Sequence, residues 1–193
     1  MDLIHPLPER VLEIGCGTGN TLGHLKSLGV RETVGVELIS GVGEEARGKV
    51  DRIIIGDIET LELPFEPGHF DCVILGDVLE HLRDPWTTLR RLTDLLKGGG
   101  QIVASVPNIR FYEVSVPLLF LGSWEYGDEG ILDRTHLRFF TRATVKKLFA
   151  SAGLQVVSLG AHRGPKREVL NWMTLFLFRN LLTIQHLVKA QKP

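Results

Sequence analysis

The sequence predicts a single α/β domain, residues 1–193, built on a mainly parallel sheet, and three observations carry that prediction. Short apolar runs alternate with amphipathic helical patterns from the first residues onward. The chain has one domain's length, and its 44% apolar and 23% charged residues match an ordinary globular protein with a sizeable core. Its 21 glycines exceed the usual share without forming a repeat, which places them in turns and ligand loops.

Arg10–Ile14 reads as a first strand and Gly15–Gly19 as a glycine loop. A helix runs from there to about Leu28, with Leu22, Leu25 and Leu28 on one face and Gly29 as its stop. Thr33–Glu37 is a second strand, Gly41–Lys49 a glycine-weakened helix, Arg52–Ile55 a third strand and Phe70–Leu75 a fourth. Asp84 reads as an N-cap with Pro85 at the first helical position. Trp86, Leu89, Leu92 and Leu96 supply that helix's buried stripe, and Gly98–Gly100 ends it. Gln101–Val106 is a fifth strand. Thr141 caps a helix whose Val145, Leu148, Phe149 and Ala152 share a face, and Gly153 closes it. Leu154–Leu159 is a sixth strand, Arg167–Asn180 an apolar helix and Thr183–Lys189 the last strand. Asn108–Phe140 fits neither period. It reads as an aromatic-rich insertion, and long ordered loops of this kind usually carry function.

With 22 basic and 23 acidic residues the net charge is −1, which counts against a nucleic-acid partner. Cys16 and Cys72 are too few for a disulfide framework. Met1–Arg10 lacks the pattern of a secretory leader, and no apolar run approaches the roughly 18 residues of a membrane span, so the expected compartment is the cytoplasm.

Val11–Gly19 is a strand running into a glycine turn that opens a helix, where a ligand can approach backbone with no Cβ in the way. Glu37 ends the second strand, 22 positions after Gly15, where an acid can accept from both ribose hydroxyls. Asp57, in Gly56–Ile58, follows the third strand and can accept from an exocyclic adenine amine, while Gly76 and Asp77 end the fourth. A dinucleotide fingerprint needs glycine at position 20, where this chain has Asn20. Glu13 would repel a pyrophosphate but suits a cationic sulfonium or an amino group. A nicotinamide dehydrogenase is therefore disfavoured.

On these residues the chain resembles the class I S-adenosylmethionine-dependent methyltransferases. Glu13–Gly19 is similar to their first motif, Glu37 to the ribose acid, Asp57 and Ile58 to the adenine contact, Phe70–Asp77 to the fourth-strand motif and Lys97–Val106 to the approach to the fifth strand. The resemblance implies a Rossmann-like seven-stranded sheet, order 3-2-1-4-5-7-6 with the last strand antiparallel and helices on both faces. It implies S-adenosylmethionine as cofactor, S-adenosylhomocysteine as product, and cofactor contacts at Glu13, Gly15, Cys16, Gly17, Gly19, Glu37, Leu38, Asp57, Ile58 and Gly76. It also implies a helical cover ahead of the first motif. Only about ten residues precede Glu13, so the 108–140 insertion acts as lid, a partner does, or the site is more open.

Methyl transfer from a sulfonium rests mostly on positioning, with a general base helping a hydroxyl acceptor. Asp77, Glu80 and His81 follow the fourth strand, and His81 has the right intrinsic pKa. The plain alternative is that Glu80 and His81 only tie down a loop. A second cluster, Asp133, Arg134, Thr135 and His136, together with Val106–Asn108, is similar to methyltransferases found with bacterial polysaccharide and glycosyltransferase systems. That points to a small-molecule, carbohydrate acceptor, gripped by Asp133, Arg134 and His136 with Trp124 and Tyr126 stacking on the ring. The plain alternative is a helix cap and lid hinge. Asp77, His81 and His136 are the expected activating residues.

Asp77, Glu80, His81 and His136 also resemble the divalent-metal set of small-RNA 2′-O-methyltransferases, with similar ligands in some quinone O-methyltransferases; this keeps Mg²⁺, Mn²⁺ or Zn²⁺ open. Cys16 reads as packing, and Lys146–Lys147 with Arg138 and Arg142 as a solvated face. His162–Arg163 and Lys166–Arg167 are candidates to meet an anionic substrate. The Trp172–Phe178 stripe is core, a homodimer contact or a membrane-surface helix. Two further readings stand beside the sugar O-methyltransferase: a non-catalytic cofactor-binding partner of a glycosyltransferase, and a metal-assisted RNA 2′-O-methyltransferase.

Overall fold

The apolar run of β1 (Arg10–Ile14) is buried on both faces, as a central parallel strand must be. The computed structural model describes Ile4 and residues 6–193, and of Leu170 the backbone alone. Met1, Asp2, Leu3 and His5, part of the stretch read as lacking a leader, lie outside the described residues. In chain order, β1 is followed by α1 (Asn20–Ser27), β2 (Glu32–Glu37), α2 (Ser40–Glu45), β3 (Arg52–Ile55), β4 (Phe70–Gly76), α3 (Pro85–Asp94) and β5 (Leu96–Pro107). The second half runs α4 (Tyr112–Leu121), α5 (Arg142–Ser151), β6 (Gln155–His162), α6 (Pro165–Met173), α7 (Arg179–Leu182) and β7 (Gln185–Gln191).

The strands form one seven-stranded sheet, order β3-β2-β1-β4-β5-β7-β6. β1 to β5 are parallel, and β7 inserts antiparallel between β5 and β6. Alternation along β1 and β4 splits the core in two. Val11, Cys72 and Ile74 face one way, packing with Leu22 and Leu25 of α1 and with Ala46. Leu12, Ile14, Val73 and Leu75 face the other, packing with Leu89 and Leu92 of α3 and with Val145, Leu148 and Phe149 of α5. Since β1 leads outward to β2 and β3 before the chain returns to β4 on the opposite side, the loops after β1 and β4 diverge. The crevice they leave is where such sheets bind ligands.

Both predicted caps are present. Asp84 Oδ1 accepts from Thr87 N at 3.1 Å with Pro85 opening α3, and Thr141 and Thr144 form a reciprocal capping box on α5. Several boundaries differ from expectation. α3 ends at Asp94, and Leu96 with Gly98–Gly100 belongs to β5, where Phe70 pairs with Leu96 and the register then shifts. At Gly100 the strand passes so close to its neighbour that an added Cβ would lie 3.2 Å from the Asp71 carbonyl oxygen. Trp86 is not in the α3 stripe but exposed, with the Arg138 guanidinium 5.8 Å from its ring centre, and Leu28 is also exposed. The apolar helix expected over Arg167–Asn180 is two helices, broken where Leu175 and Phe176 take left-handed backbone (φ 49° and 63°). β7 runs two residues beyond the predicted Lys189, pairing with β5 through Gln191. No helix among the described residues is long and apolar enough to cross a membrane.

Candidate functional site

The crevice holds a cavity of about 580 Å³ at the carboxyl ends of β1, β2, β3 and β4. Of the residues predicted for the cofactor, Gly15, Glu37, Leu38, Asp57 and Ile58 line it, and of those predicted for catalysis, Asp77 and His81 do. Glu13, Cys16, Gly17, Gly19, Gly76 and His136 lie outside the lining.

The glycine loop takes its shape from left-handed backbone at Gly15, Gly17 and Gly19. Gly17 leaves open space where a Cβ would stand, and its N–H donates to Glu37 Oε2 at 2.9 Å. Glu37 Oε1 accepts from Ile39 N at 3.0 Å, so both oxygens of this buried carboxylate brace backbone while keeping further lone pairs. Cys16 is packing rather than chemistry. Its Sγ would stand 2.5 Å from a Cβ at Gly35, and burial pushes its thiol up to about 12, with the Glu13 and Glu37 charges adding. Glu13 is buried in β1 with Oε2 unpartnered. Burial raises its carboxyl to about 7 against the pull of a Thr21 hydrogen bond. An unused acceptor beneath a glycine loop suits an ammonium or N–H donor.

After β4, Asp77 takes left-handed backbone (φ 52°), and its Oδ1 accepts from Gln185 Nε2 at 2.9 Å. Glu80 points inward, 1% exposed, with neither carboxylate oxygen partnered. Burial lifts it to about 8, and the Asp77 charge adds. The 131–140 segment returns across this loop: Leu137 N and Arg138 N both donate to the Glu80 backbone oxygen. That brings the His136 and His81 rings edge to face, centroids 4.7 Å apart. His136 Nδ1 lies 2.9 Å from the Ile131 carbonyl oxygen. His81 Nδ1 lies 3.1 Å from Thr135 Oγ1 and 3.3 Å from the Thr135 carbonyl oxygen. Thr135 Oγ1 in turn donates to Asp133 Oδ1 at 2.6 Å. These Thr135 bonds, side chain first and then backbone N–H, hold the Asp133 carboxyl below its usual range.

Of the four residues considered for a metal, Glu80, His81 and His136 come together, one ligand atom of each within 4.8 Å of the others. Asp77 does not join them, being turned toward Gln185. Arg134 pairs with Asp128 at 2.9 Å, outside the cavity. Trp124 and Tyr126 pack against each other, and Trp124 against Phe139, so they offer no platform in this cavity. Sequence reasoning missed Thr135 as His81's partner, Gln185 as Asp77's and Gly35 as the seat of Cys16. The first two arrive 54 and 108 residues away along the chain, with no local pattern to announce them.

A family described as a methyltransferase domain matches residues 2–159. A demethylmenaquinone methyltransferase of Lactococcus lactis is 28% identical over 173 residues, covering 80% of this chain and 69% of that protein. The Staphylococcus aureus enzyme of the same name is 29% identical over 119 residues, 58% of this chain, and the chain matches about half (49%) of its length. Among solved structures, a SAM-dependent methyltransferase from Archaeoglobus fulgidus superposes with a TM-score of 0.73 at 22% identity, covering 95% of this chain and 86% of that one. The family match spans most of the chain and the strand order is the one that family's fold implies, so the chain belongs to the methyltransferase-domain family and is a class I S-adenosylmethionine-dependent methyltransferase.

Proposed function

We propose that this enzyme methylates an oxygen acceptor, a sugar or another small hydroxyl compound, with His81 as general base. One observation carries the reading: the tautomer of His81 is determined by its partners. The Thr135 hydroxyl hydrogen is committed to Asp133, so toward Nδ1 that hydroxyl offers only a lone pair, and the Thr135 carbonyl is likewise an acceptor. Nδ1 therefore carries the proton and Nε2 the lone pair, on a residue that lines the cavity.

On the cofactor side we assign Glu37 to the ribose hydroxyls, Asp57 and Ile58 to the adenine, and the orphaned oxygen of Glu13, outside the cavity lining, to the amino group. Gly17, where a Cβ would meet nothing, leaves room for close approach, Gly15 and Leu38 line the cavity, and Cys16, Gly19 and Gly76 lie outside its lining. Bound there, S-adenosylmethionine supplies an electrophilic methyl. What remains for the chain is to orient the acceptor and receive its proton, and Asp77, fixed by Gln185, and His81 stand at that side. Thr135 and Leu137 make the returning arm of the 108–140 insertion a wall of the cavity, the part of a lid this chain supplies. A small acceptor agrees with the names of the curated relatives, and a sugar with the resemblance to polysaccharide-associated enzymes. The test is methyl transfer to a panel of sugar and quinol hydroxyls, read by product mass, across pH. A rate that rises with ionisation of one group near neutrality, and is lost in His81→Ala, supports the reading; full activity in His81→Ala sinks it.

A second reading is favoured by Glu80. Its two unpartnered oxygens sit beside two imidazoles whose Nδ1 atoms are engaged, leaving both Nε2 atoms as donors, a set that fits Zn²⁺ or Mn²⁺. Such an ion would supply Lewis-acid activation of the acceptor oxygen. Calorimetric titration with each ion, repeated on His136→Ala, decides it: no heat from the parent protein ends this reading and leaves His81 as base.

A further inference from the structure

Apolar side chains normally leave water, yet two neighbouring segments here hold theirs out. α4 has no fully buried residue. Leu118, Leu119, Phe120 and Leu121 are exposed by 44, 76, 74 and 79%. Four consecutive positions at about 100° each go round most of a helix, so no single flat protein face would cover them. The turn between α6 and α7 does the same: Leu175 is 85% and Leu177 77% exposed, beside Trp172 and Phe178. No charged residue occurs from Val114 to Trp124 or from Val169 to Phe178.

The two segments are one unit. Arg167 of α6 bonds Glu113 of α4 at 3.0 Å and lies over the Phe111 and Tyr112 rings at 5.0 and 5.9 Å, and α4 contacts α7. Their bases are cationic. Arg110, Arg163, Lys166, Arg167 and Arg179 flank the apolar runs, against Glu113 and Glu168, which are already paired with Arg167 and Arg163, and Glu125, which ends the first run. Between the roots of α4 and α7 lies a pocket of about 260 Å³ lined by Asn108, Arg110, Arg142, Lys146 and Asn180. Among the described residues its three cations have no acidic partner within ion-pair distance.

We infer that α4 and the 174–178 turn dock the enzyme on an anionic phospholipid bilayer, the apolar tips entering roughly 5–10 Å and the Arg110–Arg142–Lys146 pocket taking a lipid phosphate. An isotropic apolar medium covers a helix exposed all round, and a negative surface meets the cations at its base. A symmetric dimer through this patch would instead set these cations against their own copies. The surface leads to the chemistry: Asn108 Nδ2 donates to the carbonyls of Asn180 and Thr183 at 2.7 and 2.8 Å, and the strand that follows carries Gln185, the partner of Asp77.

Flotation of the full chain with phosphatidylglycerol/phosphatidylcholine vesicles, against phosphatidylcholine alone, tests this independently of the acceptor. Binding to the anionic vesicles is expected, about tenfold weaker on neutral ones. It should fall about tenfold or more in Leu119→Ser/Leu121→Ser and in Leu175→Ser/Leu177→Ser, and fall in Arg142→Gln/Lys146→Gln. A titration with S-adenosylhomocysteine, unchanged in each variant, shows that the fold is intact. No flotation, equal binding to both vesicle types, or full binding by the Leu→Ser pairs overturns the inference. So does inorganic phosphate that binds the pocket while vesicles do not, or a dimer in sedimentation that the Leu→Ser pairs dissolve without any vesicle binding.

Discussion

The two sides of the cleft are assembled by different means. On the cofactor side, one carboxylate braces backbone within the first strand–helix–strand unit: Gly17 N on Glu37 Oε2 and Ile39 N on Glu37 Oε1, with open space at Gly17. On the acceptor side, side chains meet that are remote in sequence. His81 is oriented by Thr135, Asp77 by Gln185, and the Asp133 carboxylate sits behind Thr135. On the proposed assignment the first side is a mould for the cofactor and the second a set of replaceable parts on a fixed frame. It follows that damage on the acceptor side should strike turnover, and damage on the cofactor side should strike affinity.

The sharpest way to break that division is His81→Ala. Loss of a positioned base should lower kcat by about 10²–10⁴-fold. The affinity for S-adenosylhomocysteine, read by calorimetry, should hardly move. An equal loss in both would put His81 on the cofactor side and dissolve the contrast.

Glu13 tests the mould itself. Its folded carboxyl titrates at about 7 instead of 4.5 because burial disfavours the charge. The folded state therefore holds this proton more tightly than the unfolded state. Its stabilising contribution is complete below about pH 4.5 and is lost as pH rises through about 7, a loss of roughly 3 kcal/mol. Glu80 adds a slope of the same sign, so the informative curve is the difference between the parent and Glu13→Gln in denaturant titrations from pH 4.5 to 8. That difference should flatten when S-adenosylhomocysteine is bound, if its amino group answers the orphaned Oε2.

Glu37→Ala removes acceptors from the ligand and, at once, the brace on Gly17. Hydrogen bonds to a charged group are worth about 1.5–3 kcal/mol, so cofactor affinity should fall by roughly one to two powers of ten. The kcat at saturating cofactor should change much less.

The same contrast decides what could be read from sequence. Glu13–Gly19, Glu37 and Asp57 each stand at or just past the end of a short apolar strand, and after β1 and β3 a glycine marks the turn, so a site is announced within a few residues. The strand order followed from that resemblance, and the Asp84 and Thr141 caps were legible because capping is local. The end of α3 was not. Gly98–Gly100 reads as a helix stop, but these glycines lie in a strand that passes close to Asp71 at Gly100, a tertiary demand invisible along the chain. Trp124 and Tyr126 looked like a sugar platform because composition marks aromatics but not where they point. The break at Leu175–Phe176 has no glycine or proline to signal it.

The smallest effect, and the one that most refines the comparison, belongs to Thr135. Thr135→Val deletes the hydroxyl that receives the His81 Nδ1 proton but leaves the Thr135 backbone carbonyl at 3.3 Å as a second acceptor. The tautomer survives with one partner in place of two. A typical hydrogen bond contributes about 0.5–1.5 kcal/mol net, so kcat should fall only about two- to tenfold. The hydroxyl's link to Asp133 is lost as well, although the Thr135 N–H still holds that carboxylate at 2.7 Å. Thr135→Ser, which keeps the hydroxyl, should restore the rate. If Thr135 merely packed the loop, valine would alter thermal stability and leave kcat where it was, and serine, which lacks the methyl, would do no better; a kcat that falls with valine and returns with serine, at unchanged S-adenosylhomocysteine affinity, identifies Thr135 as the residue through which the returning arm of the insertion orients the base.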